Sequence, residues 1–206
     1  MTVTAGPGKR LTKKGQATRD RIVAAASQLM LEQGVARTTI EDIQAAAGVS
    51  PSQLYHYFPG KDALVSAVID HQTGRVLDVQ HQGLDQIDTI DALNRWRDLM
   101  VGILTEAQCV GGCPLGSLAS DLAESDPVAR VQLANAFARW EQLIRSGLEQ
   151  MQARGELAPD ADPEALAVTL LATVQGGLLL SQVRRDPAPL HTALNTLIAQ
   201  LRSSTP

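Results

Sequence analysis

Between Thr38 and Lys61 the chain reads T-T-I-E-D-I-Q-A-A-A-G-V-S-P-S-Q-L-Y-H-Y-F-P-G-K, which packs two helix starts and two helix stops into 24 residues. The first start offers two overlapping capping boxes, Thr38 with Glu41 or Thr39 with Asp42, ahead of inward-facing Ile40, Ile43 and Ala47, and Gly48 supplies the stop. At the second, Ser50 can cap a helix whose first residue is Pro51, where a missing N–H costs nothing. Leu54 and Phe58 then share a face at i and i+4, and Pro59-Gly60 ends the helix after barely two turns. Helices this short need a brace. Upstream, Ile22, Ala26, Leu29, Met30 and Gln33 trace one helical face and Gly34 follows, so a longer helix is expected over Ala17 to Gln33. A brace followed by two short helices around a Gly-Val-Ser turn predicts a helix-turn-helix.

Helical period continues beyond it. A long helix starts at Lys61, passes through Leu64, Val65 and Val68, and runs into the more polar H-Q-T-G-R-V-L-D-V-Q-H-Q-G-L-D-Q-I-D, which reads as the link to the remainder of the chain. Five more amphipathic segments are expected, at Ile90–Thr105, Pro114–Glu124, Pro127–Arg154, Pro163–Arg185 and Pro187–Arg202. No segment has the β-branched alternation of a strand, so the fold class is all-α. The expected division is a basic flexible arm over 1–16, a helix-turn-helix domain over 17–70 and a larger helical domain over 71–206.

With 206 residues and 44% apolar composition the chain can bury a real core. It has neither a run of about 18 uninterrupted apolar residues nor a basic-then-apolar leader, so it reads as cytoplasmic and without a membrane partner. Two cysteines, Cys109 and Cys113, are too few and too close to staple a fold of this size. The net charge of −4 conceals an asymmetry: up to Lys61 eight Lys or Arg face four Asp or Glu, and after it ten face eighteen. Lys9, Arg10, Lys13 and Lys14 account for the basic excess, so charge alone only hints at a nucleic-acid partner.

The side chains that project from the second short helix point more firmly. A plain surface helix favours Lys, Glu and Ala, whereas this one presents Ser52, Gln53, His56 and Tyr57, with Tyr55 at its edge. In a major groove Gln can bond adenine twice, Ser can read several bases, and Tyr hydroxyls reach phosphate oxygens. Lys61, at the head of the next helix, can hold a further phosphate. The plainer reading is a helical corner with ordinary surface residues.

The stretch T-T-I-E-D-I-Q-A-A-A-G-V-S-P-S-Q-L-Y-H-Y-F-P-G-K-D-A-L, preceded by R-I-V-A-A-A-S-Q-L-M-L-E-Q-G-V-A-R-T-T, resembles the DNA-binding domain of the tetracycline-repressor (TetR) family over about Thr18 to Leu64. Gln44 departs from the alanine usual in that family. The resemblance implies a homodimer on a palindromic double-stranded DNA operator, most often repressing, and a C-terminal helical domain that takes a small-molecule effector and releases the DNA. It places Thr39, Tyr55, Tyr57 and Lys61 at phosphates and Ser52, Gln53 and His56 at bases, with Ser50 at the head of the same helix. The run G-G-C-P-L-G-S-L-A-S-D-L-A-E-S-D-P, the Phe137/Trp140 helix and L-L-A-T-V-Q-G-G-L-L-L-S-Q-V-R-R-D-P-A-P-L are similar to a multidrug subgroup that includes the lincomycin-resistance regulator.

For the effector, Trp96, Met100, Leu118, Phe137, Trp140 and Gln175 offer apolar walls with one or two polar groups, although for each taken singly plain core is the leading reading. Ala172, Gly176 and Gly177 permit close helix approach, and Leu190, Leu194 and Leu197 share a face on the next segment. These last two helices are expected at the dimer interface, the alternative being a pair packed within one subunit. Cys113 precedes a helix start, a position that can activate a thiol, but the G-C-P-L-G run is already explained by helix-start packing. The four histidines are scattered, and no nucleophile with a base, carboxylate pair or phosphate loop stands out, so no metal, cofactor or enzymatic activity is expected. An interaction module that keeps the helix-turn-helix as scaffold is the remaining competitor.

Overall fold

The computed structural model describes residues 11–84 and 87–203, and all regular structure among them is α-helical. The chain divides into two compact units, one up to Val68 and one from Ile69.

The first unit holds α1 (Lys13–Gln33), α2 (Ile40–Ala47), α3 (Pro51–Tyr57) and the start of α4 (Lys61–Leu84). Helix α1 begins four residues before the expected Ala17, because the Thr12 side chain caps it by accepting from the Gly15 amide at 3.1 Å. Residues 13–16 of the expected arm are therefore helical, and residues 1–10 lie outside the described residues. Of the two possible boxes at α2, the structure selects Thr39 with Asp42. Thr38 is instead buried, its hydroxyl donating to the Gly34 carbonyl at 2.9 Å. Gly48 then turns the chain in the left-handed region, φ 61°, where a Cβ is penalised. Ile22, Ala26, Ile43, Leu54, Phe58 and Leu64 are almost fully buried and form the core that holds α3 in place.

The second unit holds the rest of α4, then α5 (Ile90–Glu106), α6 (Pro114–Leu122), α7 (Pro127–Ala153), α8 (Pro163–Arg184) and α9 (Ala188–Ser203). Proline occupies the first turn of α6, α7 and α8, each time behind a side chain that caps the exposed amides: Cys113, Asp126 and Asp162. That repeated device explains why these boundaries fall within two residues of the expected ones. The polar stretch after His71 is helix to Leu84, and it is no mere link: Gln72, Thr73 and Gln80 on it are buried. Gln80 is held by Trp96, whose indole Nε1 donates to its Oε1 at 2.9 Å, and sequence periodicity gives no hint of that bond.

Candidate nucleic-acid interface and effector domain

Helix α3 buries Leu54 and leaves Ser52, Gln53, Tyr55 and His56 exposed, while Phe58 closes the core just past its end. Tyr55 is 54% exposed at the edge of that face. Tyr57 is half-buried, its ring edge-on to His56 at 5.0 Å between centroids. A Cβ placed on Gly15 would lie 3.6 Å from the Tyr57 hydroxyl, so that hydroxyl sits beside the first turn of α1.

Ser50, Gln53, Thr39 and Lys61, all expected at the DNA, already have intramolecular hydrogen-bond partners. Ser50 and Gln53 form a reciprocal capping box: the Ser50 amide donates to Gln53 Oε1 at 3.0 Å, and the Gln53 amide donates to Ser50 Oγ at 3.3 Å. Gln53 thus orders the start of α3 through its oxygen, leaving its NH₂ for a partner. The Thr39 hydroxyl and amide both donate to the Asp42 carboxylate, at 2.6 and 3.1 Å, and hold its pKa below the usual range. Lys61 Nζ donates to the Val35 carbonyl at 2.7 Å, tying the head of α4 to the loop after α1. Two further ties escaped sequence reasoning: Arg21 Nε donates to the Ala47 carbonyl at the end of α2 at 2.8 Å, and the Arg19 guanidinium lies 5.2 Å from the Phe58 ring centroid. Neither has a sequence signal, since both depend on how α1 crosses its neighbours.

In the second unit Trp96, Met100, Leu118 and Trp140 are buried, Phe137 is half-buried, and Gln175 has a buried carboxamide. Trp140 Nε1 is a buried donor with no hydrogen-bond partner, while the Gln175 carboxamide hydrogen-bonds the Cys113 thiol. Gln175 Oε1 would lie 3.0 Å from a Cβ on Gly116, so the carboxamide packs on the first turn of α6 beside Cys113. Burial pushes the Cys113 thiol pKa up, and the nearby Gly116 amide, Gln175 and the Leu115 amide only partly offset it. That direction is the opposite of an activated thiol. None of the six residues lines the open groove of about 520 Å³ between α4 and α7, which is walled by Leu77, His81, Asn135, Ala138, Arg139, Gln142 and Leu143.

The expected dimer residues separate into two groups. Gly177, Leu190 and Leu194 are buried where α8 packs on α9 within the subunit: a Cβ on Gly177 would meet Leu190 Cδ1 at 2.7 Å and its Cα at 2.9 Å. For these three the contact seen is internal, as the alternative reading had it, and Leu197 is half-buried. Ala172 and Gly176 are exposed, and they continue a stripe that the sequence reading missed: Val168, Leu179, Leu180 and Val183, the last 74% exposed. Because α8 is apolar on all sides, its periodicity has no phase to reveal which side faces out.

Residues 22–68 match the family model described as bacterial regulatory proteins, tetR family, and residues 89–197 match that of a tetracyclin repressor-like C-terminal domain. An uncharacterized HTH-type transcriptional regulator of Mycobacterium tuberculosis is 32% identical, over 90% of this chain and 97% of its own length. The HTH-type transcriptional repressor DhaR of Mycobacterium sp. strain GP1 is 26% identical, over 91% and 93%. Among solved structures, a TetR transcriptional regulator from Chloroflexus aurantiacus superposes with a TM-score of 0.79 at 29% identity, over 91% of this chain and 96% of that one. With its helix-turn-helix and its C-terminal helical unit both matched, the chain belongs to the TetR family of DNA-binding transcriptional regulators and is not an enzyme.

Proposed function

We propose that this regulator is a cytoplasmic repressor that binds a palindromic operator as a homodimer and leaves it when a small organic effector enters the second unit. The observation that carries the reading is α3: its apolar residue Leu54 is buried, its outer face is open, and a capping box fixes its first turn. A helix held so rigidly with polar groups outward suits a major groove. In this reading Ser52, Gln53 and His56 read bases, while Tyr55, Tyr57, Thr39 and Lys61 sit near phosphates. Repression is favoured by the repressor DhaR among its relatives.

Support for the homodimer comes from the outer stripe of α8, since contiguous exposed Leu and Val beside Ala172 and Gly176 suit the same stripe on a second copy. Helix α8 is also long and apolar enough in composition to cross a membrane, but part of it is buried against the rest of its unit. Its outer face then needs a protein partner rather than lipid.

The test is fluorescence anisotropy of the protein against the DNA flanking its own gene, beside a scrambled duplex, at two salt concentrations. Tight, sequence-selective binding that weakens steeply with salt is expected, because each neutralised phosphate releases counterions. Equal weak binding to both duplexes overturns the reading and favours an interaction module.

A further inference from the structure

We propose that Arg19 and Arg21 are positioning residues for sequence reading: from within one turn of α1 they brace the turn that leads into α3 and the residue that ends it, and so set the angle of α3 in the groove. The proposal rests on the reading that α3 enters a major groove, and it adds what holds the helix at the angle that makes base reading selective.

Helix α3 has seven residues, and Leu54 is the buried one among them. Leu54, with Phe58 just past the end, keeps α3 on the core but sets no firm direction, because apolar contact is non-directional. Direction comes from α1. On the entry side, α2 ends at Ala47, three residues ahead of the Ser50 cap. The amides of Gly48 and Val49 donate to the carbonyls of Ala45 and Gln44, at 3.3 and 3.1 Å, and Arg21 Nε donates to the Ala47 carbonyl at 2.8 Å. A guanidinium at that place also complements the negative end of the α2 dipole. On the exit side, the Arg19 guanidinium lies 5.2 Å from the ring centroid of Phe58, the C-cap of α3, whose amide donates to the Leu54 carbonyl at 2.9 Å. Gly15, one turn before Arg19, adds a third point of approach, since a Cβ on it would lie 3.6 Å from the Tyr57 hydroxyl.

Small angles matter on this scale. A helix of seven residues is about 10 Å long, so turning it by about 6° about one end moves the other by about 1 Å. Hydrogen bonds to base edges tolerate only about 0.5 Å of spread in length, so such a turn forfeits them. Attraction to phosphates is long-ranged and survives the same shift. Loss of either arginine is therefore expected to reduce selectivity more than general affinity for DNA. Direct phosphate contact is the competing role, because Arg21 is exposed and its bond to Ala47 uses one of five N–H donors. That role has the reverse signature: equal loss on every duplex and a smaller salt slope.

The parent protein first selects its preferred duplex from a random pool. Anisotropy then gives the affinity for that duplex and for a scrambled one, at several salt concentrations, for the parent, Arg19→Met, Arg21→Met and Arg21→Lys, each at a temperature where circular dichroism shows it folded. Both methionine variants are expected to lower the ratio of selected to scrambled affinity about tenfold, the worth of one good base contact, and to leave the salt slope in place. The loss should spread over several base pairs of the half-site, since α3 moves as one body. Arg21→Lys, whose ammonium can still donate to the Ala47 carbonyl, should keep most of the ratio. Should Arg21→Met fail to fold, Arg19→Met carries the test alone. An unchanged ratio in the folded methionine variants overturns the proposal: with a smaller slope the arginines are phosphate contacts, and with only a lower Tm they are braces of stability. A parent protein that selects no sequence defeats the major-groove reading itself, and this proposal with it.

Discussion

Arg185 Nη1 donates to the Cys109 carbonyl at 2.7 Å, and both residues hold left-handed backbone, φ 53° and 54°. The bond ties the end of α8 to the loop between α5 and α6, where Gln108, Gly111 and Gly112 also have positive φ. Non-glycine residues in that region cost on the order of 1 kcal/mol each, so the bond holds a conformation the backbone would otherwise leave. Arg185→Gly removes the bond and the strain together, whereas Arg185→Ala removes the bond and keeps the strain. The glycine variant should be the more stable of the two by about 1 kcal/mol, roughly 2–4 °C in Tm for a chain of this size. Differential scanning calorimetry of the pair decides it, and equal Tm values would show that no strain resides there.

The Ser50–Gln53 box makes Gln53→Ala an ambiguous probe of base reading, because that change also removes a cap. Gln53→Glu keeps the acceptor for the Ser50 amide but loses the NH₂ that could bond a base. Its stability should stay within about 0.5 kcal/mol of the parent, the usual range for a benign surface change, while its preference at one operator base pair collapses. Ser50→Ala should instead cost about 1 kcal/mol of stability. Melting curves, paired with anisotropy over operators substituted one base pair at a time, separate the two effects.

Lys61 donates one of its three N–H groups to Val35, so its structural and phosphate-binding roles are separable by salt. Lys61→Met should lose about 1–2 kcal/mol of stability through the unmade bond to the carbonyl of buried Val35. If the ammonium also neutralises a phosphate, the slope of log affinity against log salt falls by about 0.9. An unchanged slope with a lowered Tm would make Lys61 an anchor only.

Two positions on α8, one exposed and one buried, should fail in different ways. Val183→Glu sets a charge in the exposed stripe, so sedimentation should show a folded monomer in place of a dimer. Gly177→Ala drives a Cβ into the Leu190 backbone, so it should lower Tm by the equivalent of about 1–3 kcal/mol, as overpacking does. A Gly177→Ala protein with parental Tm would show that α9 can move aside at little cost.

The raised pKa of Cys113 carries a definite sign. Its thiol stays protonated in the folded protein at a pH where the unfolded chain ionises, so this group's contribution to stability is present below the ordinary thiol range and declines as pH rises through it. Iodoacetamide should therefore modify Cys113 slowly in the native protein near neutral pH and rapidly in urea, as read by peptide mass spectrometry. Rapid native modification at pH 7 would restore the case for a reactive thiol.

The sequence by itself determined the helices and most of their ends, because a cap is a contact within one turn. Thr39 with Asp42, Ser50 with Gln53, and Asp126 or Asp162 ahead of a proline need no tertiary partner to act. The same locality made the helix-turn-helix legible, down to buried Leu54 and Phe58 beneath an exposed α3 face. Only α1 began earlier than expected, since Lys13 and Lys14 show no apolar period and Thr12 alone decides the start.

Tertiary structure decided which polar groups are already engaged and which side of an all-apolar helix is left open. Lys61 meets Val35 and Arg21 meets Ala47 across 26 residues, Trp96 meets Gln80 while Trp140 meets no acceptor, and Leu190 lies against Gly177. Each outcome depends on the crossing of helices distant in sequence. A hydrophobic period fixes which residues share a face, but where every face of α8 is apolar, only packing against α7 and α9 selects the one that stays exposed.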